Sequence, residues 1–64
     1  MKVYLVTLLA RSLVDDKIWQ FIEIASADKK KVEEFLASKK TTEILTVNGE
    51  ECFVERAGAE IDLV

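Results

Sequence analysis

The chain has no histidine, no proline, one cysteine and only two glycines. Each scarcity excludes a class of chemistry. Without histidine there is no imidazole base, no zinc finger, and no usual activator for serine or threonine. The single Cys52 forbids an intrachain disulfide and leaves one thiol and the carboxylates as side-chain metal ligands. Two glycines are too few for a phosphate-cradling or dinucleotide-binding loop. The most apolar stretch, Val3 to Ala10, falls well short of the ~20 residues of a membrane span. Lys2 is the only charged residue before it and no A-x-A pattern directly follows, so a secretory leader is not expected. No cofactor is expected.

What remains is a chain of 64 residues, half hydrophobic and one third charged, with a net charge of −3. That balance predicts a single small globular domain over residues 1–64. A domain near this size buries only about 60% of the surface of its unfolded chain. Small proteins offset this with a disulfide, a metal or a second subunit, and the composition leaves the second subunit. An unpaired thiol fits a reducing compartment, so a cytoplasmic location is expected.

Residues 3–12 and 17–25 are rich in β-branched, aromatic and leucine side chains and predict two strands. Asp15 and Asp16 lie in the short connection, so the two form an antiparallel hairpin. Ser26 is placed as the helix N-cap, and Val32, Phe35 and Leu36 recur at helical spacing in a helix of about 13 residues. Asn48-Gly49 between two apolar-bearing runs marks a second hairpin. Ala57-Gly58-Ala59 is read as a break, and residues 60–64 as a short final strand. The fold class is α+β: a five-stranded, mostly antiparallel sheet with one helix on one face, in the order ββαβββ.

The first hairpin is apolar on both faces. With residues paired so that their numbers sum to 29, Tyr4, Val6, Leu8 and Ala10 share a face with Trp19 and Phe21. Val3, Leu5 and Leu9 then share the other with Ile18, Ile22 and Ile24. In the second hairpin, Leu45 joins Cys52 and Val54, while Ile44 joins Phe53. One helix covers one face, and the aliphatic face is expected beneath it. The face with Tyr4, Trp19 and Phe21 is then left for sheet curling, a second subunit or a foreign protein.

Chemistry finds little to work with. The carboxylate pairs Asp15-Asp16, Glu33-Glu34 and Glu50-Glu51 are spaced as solvated surface, and Cys52 in an apolar strand reads as a small core residue. The expectation is therefore a non-enzymatic protein–protein interaction module. We expect a homodimeric accessory or inhibitor protein, of a kind compatible with phage or plasmid origin, that acts by steric blocking. Trp19, Phe21 and Tyr4 are its expected anchors, with a strand edge at residues 60–64 open to a partner. The alternative is weak nucleic-acid binding through Lys29, Lys30, Lys31, Lys39 and Lys40, against which the acidic balance works.

Overall fold

A computed structural model describes residues 1–63. The chain runs β1 (Lys2–Ser12), β2 (Ile18–Ser26), α1 (Lys29–Ala37), β3 (Thr42–Val47) and β4 (Glu50–Asp62). The four strands form one antiparallel sheet in the order β2-β1-β4-β3. The class is α+β as expected, with four strands in place of five.

The expected break at Ala57-Gly58-Ala59 does not occur. Thr7, Val6 and Leu5 of β1 pair with these three residues in turn, so the long neighbour holds them extended. Residues to Asp62 continue the same strand, and Val64 lies outside the described residues. Gly58 has a packing role. A Cβ there would sit 3.4 Å from Leu36 Cδ2, so its bare backbone lets α1 approach the sheet.

Both hairpins follow local chemistry. Ser12 Oγ accepts from Val14 N at 3.1 Å, and Asp15 Oδ1 accepts from Lys17 N at 2.9 Å, which tightens the first connection. The second turns on Asn48 and Gly49, with φ of 51° and 78°, the left-handed pair that a two-residue hairpin requires. The helix is shorter than expected because β2 persists through Ser26, which pairs with Tyr4. Asp28 is the N-cap, its Oδ1 accepting from Lys30 N at 3.1 Å and Lys31 N at 3.4 Å. Ser26 acts one step earlier, its Oγ accepting from Asp28 N at 3.0 Å.

The helix lies on the face of Tyr4, Val6 and Gly58, not on the aliphatic face. The reason is steric. Gly58, at the closest approach, gives the helix a low floor on this face, where Leu36 reaches the strand backbone. A β-bulge between Val6 and Thr7 contributes as well. The expected pairing holds from Thr7 to Arg11, then slips by one, so Ile24 pairs with Val6 on the helix side.

Beyond the helix the same face closes on itself. Leu8, Ala10, Cys52 and Val54 are buried, and Trp19 from one edge and Leu45 and Val47 from the other pack against them. Small Ala10 and Cys52 in the central strands leave room for the larger edge residues to fold inward. Between the two halves sits Arg56, with its side chain only 4% exposed. Its Nε donates to Glu23 Oε1 at 2.7 Å, and Nη1 donates to Lys40 O at 2.9 Å and also to Glu43. Glu23 is the bulge residue of β2 and Glu43 belongs to β3, so one guanidinium on β4 ties both sheet edges to a central strand. The hydrogen bonds it donates to Glu23 and then to Glu43 hold the Arg56 pKa above its ordinary value.

Candidate functional site

The alternation that buries Cys52 and Val54 turns their neighbours outward. Ile18 and Ile22 of β2, Ile44 of β3, and Phe53 and Ile61 of β4 all lie on the face opposite α1. All five are exposed, with Ile18, Ile22 and Ile44 each above 60%. Val3, Leu5, Thr7 and Leu9 of β1 form the middle of this face, with Leu5 buried among its neighbours. Such a layer of large apolar side chains in water is unusual for a sheet whose other face is already packed. A shallow cavity at one end is lined by Leu5, Thr7, Ile22, Ala59 and Ile61, among others.

Polar groups stand among these apolar residues: Thr7 and Arg11 of β1, Gln20 of β2, Thr42 and Thr46 of β3, and Glu51 and Glu55 of β4. Arg11 stands between Ile18 and Phe53 in the register, and Glu55 pairs with Leu9 one step along. Neither has an ion-pair partner among the described residues. Four strands spaced ~4.8 Å apart and about nine residues at ~3.3 Å give a footprint of roughly 600 Å². No family model, curated protein or solved structure matches the chain.

The register puts the three residues expected as anchors on the helix side, with Phe21 also lining the shallow cavity at the end of the open face. Tyr4 lies under α1, with Lys29 Nζ 5.9 Å from its ring centroid. Trp19 is half-buried against the chain's own core, and Phe21, on the same side, is 40% exposed. The uncovered face is thus the aliphatic one. Its exposed members Ile18 and Ile22 were visible in the first hairpin, and Ile44 and Phe53 in the second. Ile61 could be joined to them only once β4 proved continuous.

The lysines of the nucleic-acid alternative are divided. Lys29 pairs with Glu33 at 3.8 Å, Lys39 Nζ lies 5.5 Å from the Phe35 ring centroid, and the Lys40 carbonyl is bound by Arg56. Lys30 and Lys31 give their backbone amides to Asp28. Cys52 is fully buried, with Sγ 3.6 Å from Glu50 O as a weak donor. Among the described residues no cluster of three or more histidine, cysteine or acidic side chains is placed to hold a metal. Among the described residues no helix is long and apolar enough to cross a membrane.

Proposed function

We propose that the chain is a non-enzymatic protein–protein interaction module whose contact surface is the open aliphatic sheet face. Its first partner is a second copy of itself. The observation that carries this reading is the exposure of Ile18, Ile22, Ile44, Phe53 and Ile61 on one side of one sheet. Two such faces stacked about 10 Å apart would remove roughly 1,200 Å² from water, the lower bound of the range for stable interfaces. Burying each large aliphatic side chain stabilises the pair by ~1.5–3 kcal/mol before the cost of association. Arg11 and Glu55 suit a two-fold arrangement, in which the cation of each copy meets the carboxylate of the other twice over.

Such a dimer is an accessory or inhibitor protein that blocks its target sterically, in the cytoplasm, where a free thiol persists. Sedimentation equilibrium across a dilution series tests the reading. The native chain should associate, and Ile22→Lys combined with Ile44→Lys should give monomers that keep the native circular dichroism spectrum. Both substitutions are at exposed positions and leave the helix side untouched. A native chain that stays monomeric at ~100 μM, or a double variant that associates as well as the native chain, would refute it.

A further inference from the structure

β4 is more than twice as long as β3, and only its first half has a neighbour on the outer side. The β3 ladder ends where Thr42 pairs with Glu55. Arg56 N donates across the same side to Thr41 O at 2.7 Å, so even-numbered residues of β4 direct their amides and carbonyls away from β1. Gly58, Glu60 and Asp62 continue that series with no strand beside them, and residues 57–62 are all exposed. Three N–H and three C=O groups thus stand in line along an unoccupied edge.

A cavity of about 320 Å³ opens beside this edge, between the strand and α1, lined by Val32, Glu33, Leu36, Gly58, Ala59 and Glu60 among others. The other two free edges are protected. β2 is bent by its bulge at Glu23, and β3 is only six residues long. We propose that residues 57–62 of β4 form a strand-docking site for an extended peptide carrying basic residues followed by one apolar residue. This site is separate from the open sheet face and does not depend on the dimer.

The geometry specifies the peptide. In an antiparallel pair, residues that exchange both backbone hydrogen bonds share a face. A peptide residue opposite Gly58 therefore points to the helix side, into the cavity beside the edge, where Val32 and Leu36 supply apolar walls. A leucine-sized side chain fits there. Two positions earlier the peptide lies opposite Glu60, and two earlier still opposite Asp62. These carboxylates are 51% and 72% exposed, and hold only long ion pairs of 3.6 Å with Lys2 and 3.8 Å with the N-terminus. Each retains lone pairs for an incoming cation, and a bidentate arginine suits Glu60. The ligand pattern is thus basic-x-basic-x-apolar, with main-chain bonds giving affinity and alternate side chains giving selectivity.

The test uses the full chain, isotopically labelled for amide detection, and the acetylated, amidated peptide TKTRTLT. Binding should move the amide signals of Gly58, Glu60 and Asp62 and slow their hydrogen exchange. Methylating the leucine amide nitrogen, which faces β4, should weaken binding about tenfold, the order expected for one lost hydrogen bond. Methylating the threonine nitrogen just before it, which faces away, should weaken binding less than about twofold. Glu60→Pro removes one outward N–H and the carboxylate that holds the arginine, without touching the β1 ladder, and should weaken binding by more than about tenfold. If that variant does not fold, the methylated peptides on the native chain decide. Three results would overturn the proposal: no movement of those amides at ~1 mM peptide, equal weakening by both methylations, or protection of the three amides before peptide is added. The last would mean that a second copy already holds the edge.

Discussion

Replacing Arg56 with methionine should cost this small domain a large share of its stability. The guanidinium makes two bonds to Glu23, one to Glu43 and one to the Lys40 carbonyl, and among the described residues no other cation pairs with either carboxylate. Removing one partner of a buried ion pair typically costs ~3–5 kcal/mol. Here the Glu23 and Glu43 side chains keep 21% and 25% of their exposure, so water offsets part of the loss. About 2–3 kcal/mol is expected, against a total of roughly 3–10 kcal/mol for a chain of this length. Urea unfolding followed by the fluorescence of half-buried Trp19 measures it. Arg56→Met combined with Glu23→Leu and Glu43→Leu should recover most of the loss, because no uncompensated charge then remains. A single variant within about 1 kcal/mol of the native chain, or a triple variant no more stable than the single, would refute the view that this network clamps the sheet.

Gly49→Ala should destabilise by ~1–2 kcal/mol in the same assay: its φ is 78° and an added Cβ meets nothing within 4 Å, so the cost is purely conformational. Asp28→Ala should cost about 1 kcal/mol and reduce the helical circular dichroism signal, because the Lys30 and Lys31 amides lose their acceptor. Asp15 is held below the usual carboxyl range, chiefly by the Lys17 backbone amide. A lowered folded-state pKa contributes stability above the unfolded value that is lost as pH falls through the folded one. The small advantage of the native chain over Asp15→Asn should therefore disappear below about pH 4 in pH-dependent denaturation.

Local sequence was sufficient wherever a short stretch contained its own partners. Asn48-Gly49 defines its turn because both residues tolerate positive φ, and the first hairpin holds its expected register from Thr7 to Arg11. The division of Leu45, Cys52 and Val54 from Ile44 and Phe53 follows from strand alternation alone. Local reading failed where a distant segment decided the outcome. Ala57-Gly58-Ala59 has the composition of a break, yet pairing with β1 extends it. Ser26 has the chemistry of an N-cap, yet its ladder partner Tyr4 keeps it in the sheet and passes the role to Asp28.

By itself, then, the amino-acid order determined an antiparallel α+β domain with more apolar sheet surface than one helix can cover, because side-chain periodicity is a local property of the backbone. Which surface stays open was a tertiary decision. The helix settled where Gly58 allowed close approach, the bulge at Glu23 brought a carboxylate to Arg56, and Trp19 folded over Ala10 and Cys52. Each of these depends on the size of a side chain meeting a space made by residues far away in the chain. That is why the aliphatic face, and not the aromatic one, was left to water.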